Sequence, residues 1–209
     1  MRDSGLLAQG LTSLALSFTR RQLEALETYR AELERWNRSY GFVKAGADEL
    51  VVRHFLDSLA GLPRIAGLSP RRDLIDVGSG AGFPGIPLAI FMEDSSFVLL
   101  ERSAKRAAFL RNVVLLLGLS NVRVEEKQLK EVQESFDLAI FRAFTPLWRE
   151  LDGLRRVLRP GGHLVSYKGR REKILEELAR ARLPNEQVEL LPLQVPFLEA
   201  ERHLVILRV

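Results

Sequence analysis

The spacing of apolar residues changes character near residue 73. Between residues 20 and 38 (RRQLEALETYRAELERWNR), Leu23, Leu26, Tyr29 or Arg30, Leu33 and Trp36 or Asn37 recur at three- and four-residue steps. That stripe, with charges between, predicts an amphipathic helix. Gly41 and Gly46 break it, Asp48 stands where an N-cap would, and Glu49–Leu59 carries Leu50, Val51, Phe55, Leu56 and Leu59 as a second helix. Gly61–Arg72, with Pro63, Gly67 and Pro70, reads as a connector. Beyond it, short apolar runs alternate with helical ones. Strands are predicted at Leu74–Val77, Phe97–Leu100, Val122–Glu125, Phe136–Phe141, Leu164–Tyr167, Val188–Leu193 and His203–Val209. Helices are predicted at Ala104–Leu117, stopped by Gly118, at Pro146–Leu158, stopped by Pro160-Gly161-Gly162, and at Arg171–Ala181. This alternation is that of an α/β fold with a doubly wound, mostly parallel sheet. The last two strands lack room for a crossover helix, so they must pair antiparallel. The expected organisation is a helical segment, 1–72, packed on one compact domain, 73–209.

The densest pattern is LIDVGSGAGFPGIPLAI, Leu74–Ile90: a strand, glycines at 78, 80, 82 and 85, then a helix. Glycine permits positive φ and lets a ligand lie against the main chain. The helix start adds free N–H groups and a positive dipole end. Two cofactors suit such a cradle. GAGFPG (80–85) fits the dinucleotide fingerprint G-x-G-x-x-G. The same run, read from Asp76 to Gly82 as D-x-G-x-G-x-G, is the motif of Rossmann-like S-adenosylmethionine (SAM) methyltransferases. Asp76 ahead of the glycines, the prolines 84 and 87, and a terminal hairpin all favour the second reading. Glu101, ending the second strand, suits either cofactor because both carry a ribose diol. Ligands of such folds lie beyond the carboxyl ends of the strands. That rule selects Gly78, Gly80 and Gly82, then Glu101, the segment Lys127–Lys130, Arg142 and Lys168, with Arg202 and His203 arriving on the descending last strand.

Composition narrows the classes. With 46% apolar and 28% charged residues in 209, the chain can bury a full core. Cysteine is absent, which removes disulfides, thiolate zinc sites and a cysteine nucleophile, and suits a reducing cytoplasm. The segment Gly5–Phe18 is interrupted by Gln9, Thr12, Ser13 and Ser17, so no signal or membrane span is read there. The three histidines, His54, His163 and His203, lack metal-ligand spacing, and no metal is expected. A net charge of +4 permits a nucleic-acid partner. Nothing in the sequence calls for more than a monomer.

Several pieces together resemble the bacterial small-subunit (16S) ribosomal RNA guanine-N7 methyltransferases, the glucose-inhibited division protein B family. They are Trp36-Asn37, RHFLDSL (53–59), DVGSGAGFPGIPLAI (76–90), FDLAIFRAF (136–144), the GG…YKG segment (161–169) and the closing RHLVILRV. The runs SYGFVKAG (39–46) and EKQLKEV (126–132) depart from the family pattern. The resemblance implies a Rossmann-like SAM methyltransferase with a seven-stranded sheet, N-terminal helices and a terminal antiparallel strand. It implies a SAM site at Gly78, Phe83, Leu129, Lys130 and Arg142, and methyl transfer to one guanine of 16S rRNA in the small subunit.

The side chains carry alternatives. Glu101 either accepts from ribose hydroxyls or pairs with Arg102 or Lys105. Phe83 either covers the cofactor or plugs the turn. Arg142, a charge at the end of an apolar strand, orients the methionine carboxylate or the target base, or pairs with Asp137 or Asp76. Arg142, Lys168, Arg170, Arg171 and Arg202 form the expected RNA-contacting set, with Arg53 a further candidate and Phe144, Trp148, Tyr167 and Phe197 as aromatics for stacking. Arg155, Arg156 and Arg159 are read as complementing a helix dipole at the opposite edge. His54 is expected to lock the helical layer onto the sheet. No catalytic acid or base is assigned, since guanine N7 has a lone pair and no proton.

Overall fold

The computed structural model describes residues 4–68, 73–142, 147–181 and 188–209. Its sheet has seven strands: β1 Asp73–Val77, β2 Ser96–Leu100, β3 Val122–Glu125, β4 Phe136–Arg142, β5 Leu158–Lys168, β6 Val188–Leu193 and β7 Arg202–Arg208. They lie in the order β3-β2-β1-β4-β5-β7-β6. Neighbours from β3 to β5 pair in parallel, and β7 runs antiparallel to both β5 and β6. The terminal strand therefore sits between two others, and β6 forms the rim.

Side chains alternate across the pleat. Leu74, Phe97, Leu99, Leu138, Ile140, Val165, Tyr167, Leu204 and Ile206 face one core. Ile75, Val77, Val98, Leu100, Ala139, Phe141, Leu164 and Leu207 face the other. The first core is covered by α1 Ser4–Ser13, α2 Arg20–Tyr40, α3 Ala47–Leu50, a π-helical turn Val51–Leu56, α4 Asp57–Ala60, α5 Leu62–Gly67, α6 Gly85–Phe91 and α7 Ala104–Leu117. The second is covered by α8 Leu147–Arg156 and α9 Arg171–Ala181. Residues of α1 to α5 share one continuous core with the sheet. No described helix is long and apolar enough to cross a membrane.

The predicted bounds of α7, α9, β3 and β6 match the structure residue for residue, and Gly118 closes α7 at φ 62°. Others are corrected. Leu7 and Leu11 are fully buried on an unpredicted helix, α1. Gly46, not Asp48, occupies the N-cap of α3, and Asp48 lies inside its first turn. Half of the supposed connector is helix, Leu62–Gly67: Pro63 falls in the first turn of α5, where its missing N–H leaves no bond unmade. Pro70 lies outside the described residues. Pro160-Gly161-Gly162 sits inside β5, which begins at Leu158. Gly161 has φ 79°, and the β4–β5 register shifts between Phe136 and Leu138. A glycine cluster that looks like a helix stop is here a bulge in a strand.

Candidate cofactor site and its charged flank

β1 ends in a loop whose glycines 78, 80 and 82 have φ of 72°, 60° and 99°, the left-handed region that disfavours other residues. The amides of Gly78 and Ser79 donate to the Leu100 carbonyl at 2.9 and 3.1 Å, fastening the loop to the end of β2. Glu101 completes the join. It is 4% exposed; its Oε2 accepts from the Gly80 amide at 2.9 Å and its Oε1 from the Ser103 amide at 2.8 Å. These bonds, and not an ion pair with Arg102 or Lys105, hold the carboxylate at the edge.

Beside this join lies a cavity of about 480 Å³, lined by Val77, Gly78, Leu100, Glu101, Arg102, Arg106, Lys127, Gln128, Leu129, Lys130 and Glu150. A Cβ built on Gly80 would meet nothing nearer than the Gly78 carbonyl at 3.8 Å, so the space beside the loop is open. Size, an oriented carboxylate with lone pairs to spare for a diol, and the apolar Leu129 and Leu100 fit the adenosine portion of SAM. The far wall is a short turn, Leu129–Glu131, in which Glu131 accepts from the Gln128 amide at 2.7 Å. Arg156 props that turn, donating to the carbonyls of Leu129 at 2.8 Å and Val132 at 3.1 Å. Arg156 is thus a support of the cavity wall, a role the dipole reading missed. Arg159 lies toward the opposite edge, as expected, but on β5 rather than the helix, and pairs with Asp73 and Asp137 in place of complementing a dipole.

Gly78, Glu101, Leu129 and Lys130 meet at this cavity, whereas Asp76, Gly82 and Phe83 do not line it. Asp76 is wholly buried under the loop, and its Oδ2 accepts from the Gly85 amide at 3.0 Å at the start of α6. Burial, opposed by that bond, pushes its pKa up to about 7, and its Oδ1 finds no partner. A Cβ on Gly82 would stand 2.7 Å from the Tyr29 hydroxyl, which donates to the Ala81 carbonyl. Gly82 is required by close packing of α2 on the loop. Phe83 is 4% exposed and packs on Tyr29, His54 and Phe55 with centroids 5.1 to 5.3 Å apart. It plugs the turn.

The other half of the edge is dominated by a residue the sequence reading passed over. Asp57, 2% exposed, accepts from Arg142 on Oδ2 and from Arg202 on Oδ1, each at 2.9 Å. Arg142 therefore pairs with neither Asp137 nor Asp76. It also donates to the Arg53 carbonyl at 3.1 Å, bonds to His54 Nδ1 at 2.8 Å, and lies over the Phe83 ring at 5.2 Å. Burial, reinforced by Arg142, Arg53 and Arg202, brings the His54 pKa down to about 3, so the imidazole is neutral and its Nδ1 accepts. His54 thus fastens the helical layer to β4, as expected. The only trace of it in the sequence was an acid on the RHFLDSL helix.

The expected RNA set is divided by this geometry. Arg142, Lys168 and Arg202 are engaged internally, Lys168 by Glu177 at 2.8 Å. Arg53 is exposed but paired with Glu49. Arg170 and Arg171 are exposed. Tyr167 is core, its hydroxyl donating to the Ser58 carbonyl at 2.7 Å. Phe197, at φ 64°, is 56% exposed at the carboxyl edge. Phe144 and the Trp148 side chain lie outside the described residues.

Strand order and cradle define the Rossmann-like fold of SAM-dependent methyltransferases. Solved structures agree: a SAM-dependent methyltransferase from Aquifex aeolicus superposes with a TM-score of 0.55 at 16% identity, covering 73% of this chain and 93% of that one. A SAM-dependent O-methyltransferase from Thermotoga maritima gives 0.56 at 18% identity, with 73% and 64% covered. The family model for rRNA small subunit methyltransferase G (GidB) matches residues 22–205. Proteins named ribosomal RNA small subunit methyltransferase G are 41% identical in Chromobacterium violaceum (95% of this chain, 94% of that protein) and 38% identical in Cellvibrio japonicus (97% and 93%). The chain belongs to the rRNA small subunit methyltransferase G family.

Proposed function

We propose that this chain transfers a methyl group from SAM to N7 of one guanine in the 16S rRNA of the small ribosomal subunit, releasing S-adenosylhomocysteine. The observation that carries the reading is the cavity where Gly78, Glu101, Leu129 and Lys130 converge in a chain of this family. In this reading Glu101 accepts from the ribose hydroxyls, Leu129 lies against the adenine and Gly78 passes close to the ligand backbone. Bound SAM supplies an electrophilic sulfonium methyl. Arg142 follows Ile140 by two residues, and Ile140 pairs with Asp76, so its backbone stands level with Gly78 at the strand ends. There, held by Asp57 and His54, it presents a fixed positive charge to a carboxylate or a phosphate. Guanine N7 attacks through its own lone pair, so the residues need only align the base, exclude water and hold charge in place. Arg170, Arg171 and Phe197 extend the RNA contact, joined by Arg142, Lys168 and Arg202 where their internal pairs leave donors free.

The same reading has a monomer acting in the cytoplasm, with no metal needed because guanine N7 attacks through its own lone pair. The helical segment 1–72 and the domain 73–209 then work as one unit, since Asp57 and His54 of the first grip Arg142 of the second. The test is transfer of labelled methyl from SAM to small subunits from cells lacking this gene, with the product mapped. Label on one guanine N7 is expected. Label elsewhere would replace the substrate. Stabilisation by NAD(H) instead of S-adenosylhomocysteine would return the glycine loop to the dinucleotide class, and binding of RNA without transfer would leave a non-catalytic factor.

A further inference from the structure

Helix α2 lies alongside α7 in the opposite direction. Glu32 accepts from Asn112 at 2.6 Å, Trp36 meets the Phe109 ring edge-on at 5.5 Å, and Tyr40 reaches Lys105 in the first turn of α7. Because α7 starts three residues after Glu101, the end of α2 arrives at the edge where the cofactor cavity opens. There the rings of Tyr40 and Phe42 stack at 5.5 Å and 15°, with Trp36 behind at 6.3 Å and 24° from Phe42. The segment is pinned: Asn37 donates to the Val43 carbonyl at 2.7 Å and accepts from the Val43 amide at 2.8 Å. Tyr40 is nevertheless 47% exposed, with the Lys105 ammonium 4.9 Å from its ring centroid. Arg38, Lys44, Arg102, Lys105 and Arg106 are exposed, and none forms an ion pair among the described residues. Three of the five cations expected on the other flank are internally bonded.

A rigid, accessible aromatic beside unpaired cations matches what unpaired RNA offers, a base face next to phosphates. We infer that Tyr40, with Lys105 and its neighbours, is a stacking platform for an unpaired base of the RNA substrate, outside the cofactor cavity. The inference rests on the RNA-methyltransferase reading above. On binding, the base takes the ring face over which Lys105 lies, and the Lys105 ammonium moves to a phosphate oxygen.

The experiment measures affinity for a 16S rRNA transcript and for small subunits lacking the modification, across a salt series, with S-adenosylhomocysteine affinity and melting temperature in parallel. Tyr40→Ala is expected to weaken RNA binding at least about fivefold, the lower end for loss of one stacked base, with cofactor affinity unchanged. Tyr40→Phe should remain within about twofold of the parent. Lys105→Ala should flatten the slope of log affinity against log salt by a little under one. RNA affinity unchanged in Tyr40→Ala on both substrates overturns the platform. So does a parallel fall in melting temperature and cofactor affinity, which would make Tyr40 a cap on Trp36, and so does equal loss in Tyr40→Phe. If the parent protein binds S-adenosylhomocysteine but neither RNA, the RNA reading falls and takes the platform with it.

Discussion

On the β2–β3 side of the sheet edge, Glu101 spends one lone pair of each oxygen on a backbone amide and faces an open cavity, and Arg102, Arg106 and Lys130 stand on its walls. On the β4–β5–β7 side, Asp57, Arg142, Arg202, His54, Lys168 and Glu177 bond mainly to one another. The two halves carry similar residue types at equivalent strand ends. What separates them is the layer packed above. The π-helical turn and α4 bring an anion down onto β4 and β7, whereas β2 and β3 receive only a glycine loop and a propped turn. A helix that supplies a counter-ion thus fixes the charges at this edge in place, and where none does they are left free to move to a ligand.

Breaking the locked half has the largest expected effect. Asp57→Ala leaves Arg142 and Arg202 as neighbouring, mostly buried cations without an anion, and should destabilise the fold by about 3 to 5 kcal/mol in denaturant titration. A loss below about 1 kcal/mol would mean that water already satisfies the pair. Asp57→Asn should fall between.

The next prediction concerns the acid beneath the loop. Asp76 has a folded pKa near 7, above the ordinary carboxyl value, so the folded state holds a proton that the unfolded chain has lost. Its contribution is fully present below about pH 4 and is lost as pH rises through 7. His54 acts in the opposite sense. Its folded pKa near 3 lies below the imidazole norm, so its share is present above about pH 6.5 and is lost as pH falls toward 3. Asp76→Asn should remove the first slope and leave the second, changing the stability difference between pH 5 and pH 8 by an amount on the order of a few kcal/mol. Identical pH profiles for parent and variant would count against a protonated Asp76.

In the open half, Glu101→Gln should weaken S-adenosylhomocysteine binding about tenfold to a hundredfold by calorimetry, the scale for hydrogen bonds to a charged acceptor. Melting temperature should fall as well, because the Gln NH2 group then faces one of the two backbone N–H donors that the carboxylate accepted from. Unchanged cofactor affinity would move the ribose elsewhere. The smallest effect is expected at Arg170, exposed on the locked flank. Arg170→Ala should reduce RNA affinity by less than about threefold at moderate salt, visible chiefly as a shallower salt dependence.

The alternating pattern made the sheet legible because its central strands β1, β2 and β4 are buried on both faces while helices such as α2 and α9 are buried along one, so periodicity reports environment directly. Gly78, Glu101, Leu129 and Lys130 were legible for a related reason: they follow strand ends in sequence, and parallel topology forces those ends to one edge. Gly82 was legible as special but not as a packing residue, and for Phe83 the sequence left plug and cofactor cover open, since their partner, Tyr29, lies on a helix more than fifty positions away. Arg156 looked like a helix terminus because the Leu129 turn it props is distant in sequence. Asp57 gave little sign of its role: an acid in an amphipathic helix reads as solvated until the helix is docked.

The sequence by itself determined the number of strands, the helices α2, α7 and α9, the glycine loop, the acid at the end of β2 and the family. These depend on local conformational preference and on short-range spacing, both written in consecutive residues. Only the tertiary structure decided which charges bind inward and which remain free. That choice depends on desolvation and on partners brought together from β4, β7 and the N-terminal helices, so the counter-ion of Arg142 lies 85 residues away.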